Sequence, residues 1–335
     1  MQVSIVCPFF NEEIVIAEVV RACIDRLHHQ LDCNWELILV NDGSTDNSVA
    51  ALTGALTDAD RQHVRVIGYA KNQGRGHALK TGIDAATGDI IVTTEADGSW
   101  GEDIVPRLAA VLMKDSQADA VVASVHMPGG GLVNVTPKRV LLTKAANMLI
   151  RAFISRDYTM YTGMTRAYRR EVIQPLPITE YGKEFHLESL LKLHTLGFDI
   201  REIPATITWP QRKAKGTGKK RSSSTNIPKT IMSHLRFAIL GKPSQYFAVA
   251  ALAAFLAGSA FMMAAVWELL THGVAINYAL TALLLWIVGL LFTGFSAIFT
   301  HLRDILRGQW AAAYPALPPT LTTARKVRTL FPLQG

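Results

Sequence analysis

Two acids one residue apart, Glu95 and Asp97 in VTTEADGS, close an apolar run. Carboxylates spaced this way at a strand end offer the hard oxygen ligands that hold Mg2+ or Mn2+, although two acids also suit the start of a loop. Asp42 closes another apolar run in ILVNDGSTDNS; Gly43 permits a turn there, and Asp46 or Ser48 can cap a following helix. Cationic chemistry is concentrated in QRKAKGTGKK, with Arg212, Lys215 and Lys219. A planar guanidinium suits a phosphate, while the lysines serve a phosphate or an anionic lipid surface equally well. His186 and Glu188 are two apart, so they diverge on a helix and offer no metal pair. Glu184 and Glu188 share one helix face, and a surface or acceptor-side role is expected for them. Gly74-Arg75-Gly76 imitates a dinucleotide fingerprint, but the pattern fails at Leu79 and follows the third apolar run instead of the first. Cys7, Cys23 and Cys33 are odd in number and lack C-x-x-C spacing, which argues against a disulfide framework or a zinc site.

Those residues need a scaffold that collects strand ends. Short apolar runs alternate with amphipathic stretches: strands are expected at Val3–Cys7, Glu36–Val40, Val64–Tyr69, Ile90–Thr94 and Ala120–Ala123. Helices are expected between them at Glu13–Leu27, Asn47–Leu56, Gly76–Ala86 and Ile104–Met113. This alternation implies an α/β fold, a mostly parallel Rossmann-like sheet covered on both faces, with ligands beyond the carboxyl ends of the strands. PFFNEE, NDGSTDNS and EADGS all fall at such ends. The 335 residues are 49% hydrophobic and 18% charged, which excludes a disordered chain. Lys and Arg number 34 against 27 Asp and Glu, so the net charge of +7 favours anionic partners: nucleic acid, anionic lipid or a phosphorylated substrate.

Two uncharged runs, 246–267 and 278–300, are each long enough to cross hydrocarbon and are apolar on every face. Lys229, Arg236 and Lys242 precede the first run, Arg303 and Arg307 follow the second, and the Glu268–Asn277 connection has no Lys or Arg. The positive-inside rule therefore expects a hairpin with both termini cytoplasmic, in the inner membrane of the cell. The opening residues lack the features of a signal peptide, so the first domain is expected in the cytoplasm too. The expected division is a catalytic-sized domain at 1–225, a juxtamembrane amphipathic segment at 226–244, two spans within 245–302 and a tail at 303–335.

PFFNEE, VNDGSTDNS and NQGRGHALKTGIDAATGDIIVTTEAD occur in an order and spacing that resembles family 2 glycosyltransferases of the GT-A fold. RDYTMYTGMTRAYRREVI resembles the D-x-T-S-G-F-R-x-x-R-R-E block of the polyprenyl-phosphate glycosyltransferases, the branch that includes dolichyl-phosphate mannose synthase. The resemblance implies inverting transfer of one sugar from a UDP- or GDP-linked donor onto an undecaprenyl or dolichyl phosphate. It assigns Pro8, Phe10, Glu12, Val40, Asp42, Glu95, Ala96 and Asp97 to the donor, with Asp97 and Glu95 holding the divalent cation. It places Asp157 by the acceptor, and Arg212, Lys215 and Lys219 on phosphate. A phosphate nucleophile is already ionised near neutral pH, so Asp157 is expected to orient a substrate more than to accept a proton. Glu95 replaces the first Asp of the D-x-D signature, Val125 stands where the branch often has arginine, and the R-x-x-G-x-S-K loop carries one extra residue with Gly218 in the Ser position. The expected partners are a nucleotide sugar, a polyprenyl phosphate and the membrane, without nucleic acid and with a homo-oligomer left open. Two other functions fit less well: a membrane-anchored pseudoglycosyltransferase, and a polysaccharide synthase, which would want a Q-x-x-R-W motif and more spans.

Overall fold

The computed structural model describes residues 1–96, 99–101, 103–136, 140–141, 144, 147–148, 157–182, 184–208 and 243–314. Asp97, Arg212, Lys215 and Lys219 lie outside the described residues, as do most of the juxtamembrane segment and nearly all of the tail. The described residues form two compact units, one drawn from the first 234 residues together with Trp310–Tyr314, the other lying within Leu235–Gln309.

The first unit is built on a seven-stranded sheet in the order β3-β2-β1-β4-β7-β5-β8. Its strands are β1 (Gln2–Phe9), β2 (Asn34–Asp42), β3 (Val64–Tyr69), β4 (Ile90–Thr93), β5 (Ala120–Ser124), β7 (Arg166–Arg169) and β8 (Ile200–Pro204). All pairings are parallel except those of β7, which runs antiparallel between β4 and β5. A small parallel pair, β6 (Gly131–Val133) with β9 (Thr206–Thr208), stands apart. β1 is buried from Val3 through Phe9 because helices cover both faces of this central strand.

Period-3.6 burial orients those helices. α1 (Ile16–Gln30) turns Ile16, Val20, Ile24 and Leu27 inward, and α4 (Ile104–Lys114) turns Ile104, Leu108 and Leu112 inward. α3 (Arg75–Ala85) lies on the opposite face, with Gly82 packed so closely on Val6 and Val40 that a Cβ would overlap both side chains. α2 (Ser48–Ala55) and α5 (Phe185–Leu196) complete the layers. Every strand expected from periodicity is present, and the parallel core is as predicted; β6, β7, β8 and β9 are additions, of which β7 supplies the antiparallel step.

The second unit is a helical hairpin of α6 (Pro243–His272) and of α7 (Ile276–Ala311) as far as Gln309, and both helices are long and apolar enough to cross a membrane. They join through only three residues, shorter than the expected Glu268–Asn277 connection, because α6 continues to His272 and ends at Gly273 with φ +81°. Small residues set the contact between them: Gly258 lies against Trp286 and Gly289 against Phe255. Leu256, Leu270 and Leu290 are mostly exposed, as side chains facing hydrocarbon would be.

Candidate donor site at the carboxyl edge of the sheet

Three loops that follow β1, β2 and β3 lock together. Asn11, in a left-handed conformation at φ 53°, accepts the Thr45 N–H at 2.8 Å and donates its own N–H to Ser44 Oγ at 3.1 Å. The Glu12 N–H reaches Ser48 Oγ at 2.8 Å, and the Glu12 carbonyl receives the Val15 and Ile16 amides to start α1. Glu13 accepts from Asn47, and Asp46 accepts the Ser48 N–H at 3.0 Å, closing the turn into α2. Gly43, at φ +67°, lets the second loop touch the backbone of Lys71 and Asn72, where any Cβ would overlap.

Asp42 organises this junction. Its Oδ1 accepts from Tyr69 Oη at 2.8 Å, Gln73 N at 2.9 Å and Gly74 N at 3.1 Å, while Oδ2 accepts from Asn72 Nδ2 at 3.0 Å. Only 5% of the residue is exposed. Burial and the Asp42 carboxylate push the Tyr69 hydroxyl well above its ordinary pKa, which keeps it a hydrogen-bond donor. Asp42 therefore shapes the loop beneath the site through four hydrogen bonds.

Glu95 sits just beyond β4 with its side chain partly open. Arg75, at the start of α3, holds Glu95 Oε1 at 3.3 Å, and Ser99 Oγ donates to Oε2 at 3.2 Å. Sequence reasoning rejected Gly74-Arg75-Gly76 as a dinucleotide fingerprint and did not single out Arg75; a cation opposite an acid needed the fold to bring them together. The Ser99–Gly101 stretch is tied in turn to β9: Thr208 N donates to Ser99 O at 2.7 Å and Gly101 N to Thr206 O at 3.3 Å. β9 thus runs beside the Ser99–Gly101 stretch that follows Glu95.

The remaining expected residues are distributed unevenly. Pro8 is buried in β1, Phe10 is 41% exposed beside it, and Val40 and Ala96 are buried, Val40 beneath α3. Asp157 stands 3.6 Å from His194 Nε2 on α5, and the same imidazole meets Tyr158 Oη through Nδ1 at 3.1 Å. Arg166, fully buried, donates to the carbonyls of His186 and Tyr161. The surface role expected for Glu188 is corrected: it is 1% exposed, because the loop before α5 folds over it and Lys192 pairs with it at 2.6 Å.

The sequence matches Glycosyl transferase family 2 over residues 4–176, just over half of the chain and the whole span of the three interlocked loops. The chain is a family 2 glycosyltransferase. Among curated proteins, this transferase is 34% identical over 179 residues to the undecaprenyl-phosphate 4-deoxy-4-formamido-L-arabinose transferase of Sodalis glossinidius, covering 52% of this chain and 51% of that one. The transferase thus spans about half the length of such relatives. It is 27% identical over 244 residues to the polyprenol monophosphomannose synthase of Mycolicibacterium smegmatis, covering 71% and 87%. Among solved structures, glucosyl-3-phosphoglycerate synthase from Mycobacterium tuberculosis, in complex with Mn2+, uridine diphosphate and phosphoglyceric acid, superposes with a TM-score of 0.51. That pair is 21% identical and covers 71% and 78% of the two chains, a likeness of fold.

Proposed function

We propose that this transferase moves one sugar, with inversion, from a nucleotide sugar onto a polyprenyl phosphate at the cytoplasmic face of the membrane. The observation that carries the reading is the meeting, at one sheet edge, of the acidic end of β4 with β9, which leads directly towards Arg212. Arg212 follows Thr208 by four residues, within roughly 14 Å of extended chain. That short reach supports assigning an acidic cation site and a basic phosphate loop to one edge, in a chain with two helices able to span a bilayer.

The donor set suits a divalent cation: Glu95 offers hard oxygens, and its pairing with Arg75 supports a preference for positive charge at that position. Glu95 and Asp97 are assigned to that cation, which supplies neutralisation of the charge developing on the departing diphosphate. An acceptor phosphate oxygen forms its bond to the anomeric carbon as the bond to the nucleoside diphosphate breaks. Arg212, Lys215 and Lys219 hold phosphate, and Asp157 orients the acceptor side. Pro8, Phe10, Glu12, Val40 and Ala96 border the donor. The Asp42 loop shapes that cleft.

The test is transfer from labelled UDP- and GDP-sugars into membrane lipid extract, with and without chelator. Cation-dependent label in a polyprenyl phosphate supports the reading; nucleotide binding without turnover of any donor would favour a pseudoglycosyltransferase. For the membrane arrangement, cysteines placed at Gly273–Ala275 should react only from outside the cytoplasm. Labelling of that turn and of the tail from one side removes the hairpin topology.

A further inference from the structure

Glu188 and Lys192, four apart on α5, form a buried ion pair with 1% and 7% of the residues exposed. Desolvating two charges is costly, and an apolar pair fills such a space as well, so the contacts made by these charges show what they do. Glu188 Oε1 accepts from Thr179 N at 3.0 Å and Thr179 Oγ1 at 2.6 Å, and Oε2 accepts from Glu180 N at 2.8 Å. Lys192 donates to the Pro177 carbonyl and lies 4.9 Å from the centre of the Trp310 ring. Both charges therefore grip one irregular loop, and a tryptophan closes over the grip.

That loop continues straight to the donor side. The Tyr181 carbonyl accepts His77 N–H at 3.1 Å, and Gly76 is so close that an added Cβ would stand 2.6 Å from Gly182 O. The His77 ring lies between Tyr181 and Tyr69, with centroids 5.3 and 5.0 Å away, and Tyr69 donates to Asp42. Trp310 is itself fixed from beyond α7: Tyr314 Oη donates to Val172 O at 2.7 Å, and its ring packs on Phe198 at 5.3 Å. Burial raises the Tyr314 hydroxyl pKa, so it remains a donor.

We propose that the Glu188–Lys192 pair, closed by Trp310, is a positioning clamp that holds loop 177–182 against the 73–77 donor loop. The order of the donor loop then depends on Trp310, in the last turn of α7, and on Tyr314 just after it. The link to the donor rests on the function proposed above; the clamp itself does not.

Hydrogen exchange followed by mass spectrometry on the full chain in detergent tests it. Trp310→Ala should speed exchange in segments 75–82 and 177–182 by about three- to thirty-fold, the range a lost cation–π contact gives, with β1 and β2 unchanged. Trp310→Phe should restore most of the protection. Tyr314→Phe, which keeps the ring and removes only the Val172 hydrogen bond, should give a smaller change in the same segments and serves if Trp310→Ala does not fold. Unchanged exchange at 75–82 and 177–182, or equal acceleration throughout β1 and β2, overturns the clamp. With turnover in hand, Trp310→Ala should raise the donor KM several-fold and leave kcat within twofold; a fall in kcat alone refutes positioning. Should the wild-type protein turn over no sugar nucleotide, the proposed function fails while the exchange result still decides the clamp.

Discussion

Replacing Asp42 by Asn preserves shape and removes one charge, so it separates a carboxylate that builds a loop from one reserved for a ligand. The asparagine has two orientations. With its amino group at Oδ1 it would face three donors, Tyr69 Oη, Gln73 N and Gly74 N; at Oδ2 it faces only Asn72 Nδ2. The second orientation wins. Asn72 does not relieve the conflict without cost, because its amino group also donates to the Asp42 backbone carbonyl at 3.0 Å. Three hydrogen bonds then change from charged to neutral, each weaker by about 1 kcal/mol, and the bond from the exposed Asn72 is lost at about 1 kcal/mol. These effects overlap in one network, so about 3 kcal/mol is the expected loss. At roughly 2–4 °C per kcal/mol for a domain of this size, the unfolding midpoint of the first unit should fall by about 6–12 °C. Thermal unfolding of the full chain in detergent, followed by near-ultraviolet circular dichroism without nucleotide, reads the shift. A midpoint within about 2 °C of wild type, with donor affinity lost, would refute the structural role and return Asp42 to the ligand.

Gly76→Ala improves helix propensity but drives a Cβ into the backbone of Tyr181 and Gly182; a loss of about 1–3 kcal/mol is expected, whereas Gly54→Ala, with open space around it, should stabilise by up to about 1 kcal/mol. Chemical denaturation of both checks the pair, and equal effects would sink the packing argument. Arg212→Lys should slow single-turnover transfer in detergent at least about tenfold, since a lost charged hydrogen bond is worth about 1.5–3 kcal/mol; a wild-type rate for Arg212→Ala removes it from the site. Burial pushes the Glu36 carboxyl up, but hydrogen bonds from Ser4, Thr87 and Arg65 outweigh it and hold the pKa below its usual value. Its stabilisation is thus present above the unfolded pKa near ~4.3 and lost as pH falls through the lower folded value. Glu36→Gln should flatten the acid side of a stability–pH curve, and an unchanged slope would contradict this.

The first 124 residues were legible because each strand there is a compact apolar run and two of the helices, α1 and α4, carry a clean inward stripe. β7 was not, since its four residues, RAYR, begin and end in arginine and only the fold buries Arg166 against backbone carbonyls. The three-residue strands β6 and β9 are too short to show a period. Loop composition pointed to Asp42 and Glu95, but their partners did not follow from it: Tyr69, Asn72 and Arg75 are 20 or more residues away and meet them only through strand order. Glu188 was misjudged for a related reason, because burial of a charge depends on a partner loop that no helical period reveals.

The insertion of β7 between β4 and β5 also sets a timetable. As the chain emerges, β3, β2, β1 and β4 can pair in full once Thr93 is made, but β5 has no neighbour on that side until Arg169 follows Ser124 by 45 residues. At about 5–20 residues per second, that wait is roughly 2–9 s, long compared with the formation of local structure. During it, β5 carries five apolar or small residues with unpaired edges, the kind of strand that seeks any partner. The half that bears the Asp42 and Glu95 loops is therefore made first as a continuous sheet, and joining β5 to it waits on four late residues.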